Sequence, residues 1–336
     1  MIKQLIALLL AGALAGVPAL DAPALPETGS ELGLAASGIA QVEDTLYVAD
    51  SYQRGIWKID GDQAERLTGS NENLDQNGRP LTGYLDGDME KALFGEPWAV
   101  IPYLDGLLVS DAGNHVLRYV DLEDGKVYSA AGSGEAGFQD GSVNRRIAFN
   151  MPTGLALGED DLVYIADTGN HAIRVMDKKG NVSTLAGGEE GCALGTLEEA
   201  RFSQPTGLCY ANGVLYVADS GNHRIVAIED GQVRLVAGAS LSEDLAEAGD
   251  LLNGSVERAA FSNPQGIAVA EDGTVYVADT GNGAVRRIQD GRVTTVLQAQ
   301  GDDVYPVSPR GLWIDGDTLY VGDVFMRVLA QYDLGA

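Results

Sequence analysis

An all-β ring of six four-stranded antiparallel blades, a β-propeller, is the fold this sequence predicts, and three observations predict it. One phrase recurs six times: LYVADSYQRGIWKI at 46–59, LLVSDAGNHVLRYV at 107–120, VYIADTGNHAIRV at 163–175, LYVADSGNHRIV at 215–226, VYVADTGNGAVRRI at 275–288 and LYVGDVFMRVL at 319–329. The Asp of each phrase (Asp50, Asp111, Asp167, Asp219, Asp279, Asp323) marks spacings of 61, 56, 52, 60 and 44 residues, a period that means a solenoid, a propeller or an array. Each unit then holds four short β-rich runs separated by tight turns, with no helical periodicity.

The third unit shows the elements in order. Gly154 to Leu157 is short and apolar, and Gly158 to Asp161 is a turn. Val163 to Asp167 is a second strand, Thr168 to Asn170 a turn, Ala172 to Asp177 a third strand, and Asn181 to Leu185 a fourth. In Val163-Tyr164-Ile165-Ala166 neither alternate set is polar, so both faces are buried, as in a sheet sandwiched between neighbours. The sixth unit ends after its third strand, and the segment from about Ala24 to Leu34 is expected to supply the fourth and remove the open edge. The 44 glycines suit a protein of many turns.

The N-terminus, MIKQLIALLLAGALAGVPALDA, has a basic residue at Lys3, an apolar run of about a dozen residues and small residues before a cleavage point. Residues 1–22 therefore read as a signal peptide, 23–32 as a linker or closing strand, and 33–336 as the propeller. No Cys follows the apolar run, which argues against a lipid anchor, and no other stretch is long enough to span a bilayer. The expectation is a soluble monomer that is secreted or held in a periplasm or at the cell surface. A formal charge of −27 argues against nucleic acid and anionic membranes as partners. Only Cys192 and Cys209 are present, and the sequence leaves open whether they are bridged.

The runs Asn114-His115-Val116-Leu117, Asn170-His171-Ala172-Ile173 and Asn222-His223-Arg224-Ile225 resemble the NHL repeat. So does the lead-in Asp-Gly-x4-Ala-x-Phe-x2-Pro-x-Gly: Asp140, Gly141, Ala148, Phe149, Pro152 and Gly154 before unit 3, with related sets at Asp86 to Ala99, Ala200 to Gly207 and Asn253 to Gly266. The resemblance covers about residues 33–336 and implies the six-bladed fold. It says little of function, because propellers of this family include binding modules and some enzymes.

All three histidines lie at equivalent places in the phrase, so rotation around the ring keeps them apart, and their expected role is structural. The six marker Asp are expected to bind backbone N–H groups of their own turns. Phe94, Phe149, Phe202 and Phe261 are expected to pack between blades.

Function is sought where copies differ. The residue between the Pro and Gly of the lead-in, expected to border the mouth of the channel, is Ser37, Trp98, Thr153, Thr206, Gln265 and Arg310 in units 1 to 6. Units 1 and 6 also replace Gly-Asn-His by Tyr52-Gln53-Arg54 and Phe325-Met326-Arg327. Blades 1, 2 and 6 adjoin in a closed ring, so Trp98, Tyr52, Arg54, Arg310 and Arg327 should gather on one side of one face, with a composition common in binding hot spots. Two long lead-ins, Gly69 to Leu85 and Ser240 to Leu252, should rim that face. The favoured reading is a binding module for a protein, peptide or glycan, with no cofactor. The alternative is a lyase or lactonase-type hydrolase with calcium or zinc in the channel, for which Glu96, Gln204 and Asn263 are the candidate ligands.

Overall fold

The computed structural model describes residues 27–335 except 62, 70–73, 77, 143–146, 239–250 and 299–305, with backbone alone for 27–31. The proposed signal peptide, most of the acidic Ser240–Leu252 lead-in and part of the Gly69–Leu85 lead-in lie outside these residues.

Six antiparallel sheets stand around one axis. Blade 1 is built of Ala36–Val42, Thr45–Asp50, Gly55–Asp60 and Gln63–Thr68. The innermost strands of the other blades are Pro97–Tyr103, Pro152–Leu157, Pro205–Ala211, Pro264–Val269 and Pro309–Asp315. Blade 6 takes its fourth strand from the other end of the chain: Glu27–Leu32 pairs antiparallel with Val328–Asp333. Blades 2, 4 and 5 carry a fifth, two-residue strand at their outer edge: Gly87–Asp88, Gly195–Thr196 and Gly254–Ser255. These pairs were not legible as strands, since two residues set no alternation.

The apolar side chains separate into six clusters, one at each blade interface. Between blades 1 and 2, for example, Tyr47, Ala49 and Ile56 meet Phe94, Val100, Leu107 and Val109. Between blades 6 and 1, Leu329 meets Ile39, Val48 and Ile59. Both faces of every inner strand are thereby covered, which is why these strands lack a polar alternate set.

The Gly after the variable lead-in residue is required by how closely the inner strands approach. A Cβ on Gly154, Gly207 or Gly266 would collide with the carbonyl oxygen of Thr206, Gln265 or Arg310 in the next blade. Blade 2 departs with Ala99, and its marker phrase departs with it. Ser110 stands where other blades have Ala or Gly; its Oγ accepts from Ala99 N–H at 2.9 Å and donates to Thr153 O in blade 3.

Hydroxyls beside the marker Asp also tie blades together. Thr168 Oγ1 donates to Pro205 O at 2.7 Å, Ser220 Oγ to Pro264 O at 2.5 Å and Thr280 Oγ1 to Pro309 O at 2.6 Å. The histidines make a second set of ties. Nδ1 of His115, His171 and His223 accepts the backbone N–H of Met151, Gln204 and Asn263 in the following blade, at 3.0, 3.1 and 2.9 Å. Each histidine has a left-handed backbone, with φ of 57°, 53° and 54°, and so do Arg54, Gly283 and Arg327 at the matching turns.

The marker Asp residues are buried in all six blades. In blades 2 to 5 their partners differ from those the sequence suggested. Asp167 accepts the N–H of Asn150 at 2.7 Å from its own lead-in, the Asn170 amide at 2.8 Å and Arg174 Nη1 at 2.6 Å. The pattern recurs at Asp111 with Arg118, Asp219 with Arg224 and Asp279 with Arg286. Burial pushes the Asp167 carboxyl up, and the Asn170 amide, the Asn150 N–H and Arg174 oppose that push. Only blades 1 and 6, which lack the Asn, use the Asp to hold the N–H groups of its own turn: Gln53 at 2.7 Å in one, Phe325 and Met326 at 3.0 and 2.8 Å in the other.

The buried arginines were missed in the sequence. Three of them stand seven residues after the marker Asp (Arg118, Arg174, Arg286) and one stands five after it (Arg224), so the spacing was a usable signal. The guanidinium of Arg174 lies between two rings, 4.9 Å from Phe138 and 5.3 Å from Phe149, and that of Arg118 between Tyr84 and Phe94 at 5.2 and 4.8 Å. The lead-in Phe therefore serves both the blade interface and the arginine. Arg118 and Arg174 also bond lead-in carbonyls and Asp86 or Asp140, fastening each loop to its blade.

Candidate functional site

The six inner strands enclose a central cavity of about 430 Å3. Its wall is mainly apolar, with Ile39, Val100, Leu155, Leu208, Ile267 and Leu312 contributed one from each blade. Such a wall follows from the sequence: the inner strands are apolar on both faces, and the residues that pack at the blade interfaces also border the channel. The polar side chains lining it are few among the described residues: Ser37, Cys209, Tyr210, Gln265 and Arg310, with the indoles of Trp98 and Trp313, the latter donating its N–H to Gln41 Oε1 at 3.2 Å. Carboxylate and imidazole side chains are absent from the lining among the described residues.

Three of the six lead-in residues meet at one end of this cavity. Arg310 of blade 6 lies 4.0 Å from the centroid of the Trp98 ring of blade 2, and its Nε donates to Gln265 Oε1 of blade 5 at 2.8 Å. All three are half-buried. Burial pulls the Arg310 guanidinium down to about 10, while the charge of Glu96 favours its cationic form. The other three take a different part. Ser37, Thr153 and Thr206 are buried, and their hydroxyls are bonded within the scaffold: Ser37 Oγ to Ala49 O at 3.0 Å and Pro97 O at 3.3 Å, Thr153 Oγ1 to Thr168 Oγ1 at 2.6 Å and Thr206 Oγ1 to Ser220 Oγ at 2.5 Å, the last two in the turns after the marker Asp.

A second group lies on the same end of the ring. Tyr52 in the blade 1 turn has two guanidinium groups over its ring, Arg79 at 4.6 Å and Arg327 at 4.7 Å. Arg79 comes from the Gly69–Leu85 lead-in, which the sequence placed at this rim without singling out that side chain. Arg327 and Phe325 of the blade 6 turn are exposed, Phe325 at 62%. Arg54 is half-buried at the end of the Tyr52 turn. The structure thus joins Tyr52 with Arg327, and Trp98 with Arg310 and Gln265, as two groups.

The candidate metal ligands Glu96, Gln204 and Asn263 stand in the lead-ins of three different blades, 2, 4 and 5. Gln204 and Asn263 are exposed with left-handed backbones, engaged through their N–H groups with His171 and His223 of the preceding blades. Glu96 sits beside blade 2's Pro97, its N–H bonded to Asp111. Among the described residues no three His, Cys, Asp or Glu side chains converge. Among the described residues the channel lining carries no carboxylate, and its charged side chain is the cation Arg310. Cys192 is exposed, Cys209 lines the cavity, and both are free thiols; burial pushes the Cys209 thiol up to about 11. No helix of the described residues is long and apolar enough to cross a membrane.

Residues 149–176, 202–228 and 261–288, in blades 3, 4 and 5, match the NHL repeat. The chain is 30% identical over 287 residues, 80% of its length, to the Arabidopsis thaliana protein SUPPRESSOR OF QUENCHING 1, chloroplastic, and covers 26% of that protein. It is 27% identical over 286 residues to Homo sapiens NHL repeat-containing protein 2, covering 74% of this chain and 38% of that one. It thus spans only a quarter to two fifths of these relatives. Among solved structures, an auxiliary nutrient binding protein from Bacteroides thetaiotaomicron superposes with a TM-score of 0.61 at 12% identity, over 89% of this chain and 69% of that one. A gluconolactonase from Xanthomonas campestris superposes with a TM-score of 0.59 at 14% identity, over 94% and 96%. At such identities the likeness is one of fold.

Proposed function

This chain is an NHL-repeat protein folded as a six-bladed β-propeller, and from that premise we propose that it is an exported binding module, holding a protein, peptide or glycan on the face where Trp98, Arg310 and Gln265 stand. The observation that carries this reading is the Trp98–Arg310–Gln265 group. Side chains from three blades meet at the mouth of an apolar channel, in a protein otherwise strongly acidic, and the repeat itself does not require them there. Tyr52, Arg54, Arg327 and exposed Phe325 extend the same face with residue types that anchor interfaces. The fold likeness to a nutrient binding protein is compatible with it. The apolar N-terminal run is what supports export.

The lactonase or lyase reading draws on the fold likeness to the gluconolactonase. It is disfavoured by the cation and apolar wall where ligands for calcium or zinc would have to stand.

Peptide and glycan arrays probed with the mature protein and with Trp98→Ala test the proposal. Binding to a defined set of probes that falls at least tenfold in Trp98→Ala supports it. Stoichiometric calcium or zinc in protein purified without chelator, together with turnover of a lactone, overturns it in favour of the enzyme.

A further inference from the structure

We infer that the channel mouth is a carboxylate subsite: it takes the carboxylate of a ligand whose apolar or aromatic body enters the cavity. This rests on the reading that this face binds a ligand, and it specifies that ligand's chemistry.

Arg310 is placed as a receptor for an anion. Its Nε is occupied by Gln265, and its plane is stacked on Trp98 at 4.0 Å, so the fork is held in one orientation before any ligand arrives. Its terminal Nη groups donate to no described residue, and no carboxylate of the described residues forms an ion pair with it, although the charge of Glu96 acts on it. The four buried guanidinium groups of the blades are unlike it, since each is paired with its marker Asp. A half-buried, oriented guanidinium with a free fork matches a carboxylate through two parallel hydrogen bonds. Burial weakens its hydration, so the gain from pairing is larger there than on the open surface.

The body of the ligand follows from what lies behind Arg310. The cavity holds about 430 Å3, within the range of small-molecule sites, and its wall is mainly apolar, with an aliphatic residue from every blade. Trp98 and Trp313 both line it, which favours a flat body. A sugar would leave its hydroxyls unpaired against Leu155, Leu208, Ile267 and Leu312. Two sources carry the required chemistry: a free apolar acid, or the C-terminal carboxylate of a peptide ending in an apolar residue.

Isothermal titration of the mature full-length chain tests this with 2-naphthylacetate and 2-naphthylacetamide, and with a hexapeptide ending in Phe as the free acid and as the amide. The expectation is that one or both acids bind, and that the matching amide is at least tenfold weaker. Arg310→Gln should reduce acid binding to the level of the amide. Arg310→Lys, which keeps the charge without the fork or the flat stack, should recover only part. Binding of the naphthyl acid alone identifies a free acid as the ligand type, and of the peptide acid alone a chain terminus. Equal binding of acid and amide, acid binding unaltered in Arg310→Gln, or no binding of either acid overturns the inference. Each of these leaves Trp98-dependent array binding standing, whereas lactone turnover with bound metal removes the face-binding reading itself.

Discussion

Arg310 and Trp98 meet at 4.0 Å although their blades are not neighbours: blade 1 lies between them and contributes only the small, buried Ser37 at the matching position. The mouth is therefore bridged from blade 2 to blade 6 across a gap in the ring of side chains. Gln265 extends the bridge to blade 5, its Oε1 accepting from Arg310 Nε at 2.8 Å. A long side chain on blade 1 in place of Ser37 would fill the space through which the two residues reach each other.

The charge of Arg310 sets a pH dependence. Burial disfavours its cationic form and lowers its pKa to about 10, so the cation is intact at neutral pH and lost as pH rises through about 10. Affinity for a carboxylate probe should be level between pH 7 and 9 and fall above 10, recovering when the pH is returned. Titration calorimetry at each pH measures this. Affinity that stays constant to pH 11 would show that the guanidinium charge is not used.

The buried pair Arg174–Asp167 carries blade 3. Arg174→Met leaves the Asp167 carboxylate without its cation and frees the lead-in, which the guanidinium holds through Asp140 and the Ala148 carbonyl. The expected loss is about 3–5 kcal/mol, the range for breaking a buried pair on one side. Urea denaturation measures it. Asp167→Asn combined with Arg174→Met should cost less than the two single changes added together, because the second change removes a charge already stranded.

The histidine ties predict an uneven tolerance. At His171 an Asn keeps an acceptor near the place of Nδ1 and accepts the left-handed backbone, so His171→Asn should change stability by less than about 0.5 kcal/mol. His171→Leu removes the acceptor for Gln204 N–H and puts a less suitable residue at a φ of 53°, at a cost of about 1–2 kcal/mol. Comparison of the two melting temperatures decides it; equal losses would show that the imidazole matters for packing rather than for its lone pair.

The two thiols should differ in reactivity. Cys209, pushed up to about 11 by burial, carries little thiolate at pH 8, whereas Cys192 is exposed. Brief iodoacetamide treatment of folded protein should modify Cys192, and Cys209 only after denaturation. Peptide mass spectrometry reads the two sites separately.

The sequence by itself determined the blades. The recurring Tyr-Val-Ala-Asp phrase with two-sided apolar strands required sheets stacked around an axis, and six phrases required six blades. It also marked Trp98, Arg310 and Gln265, because a repeat exposes the positions where its copies disagree. The same criterion drew in Ser37, Thr153 and Thr206, whose hydroxyls bond within the scaffold instead, and this depends on how the folded blade brings each against its partner. The marker Asp residues show the limit most clearly. Their presence was legible, but their partners in blades 2 to 5 are a lead-in N–H, an Asn three residues on and a buried arginine. Only the tertiary structure decided these, because pairing a charge in a blade interior depends on which side chains the closed ring leaves within reach, not on their order along the chain.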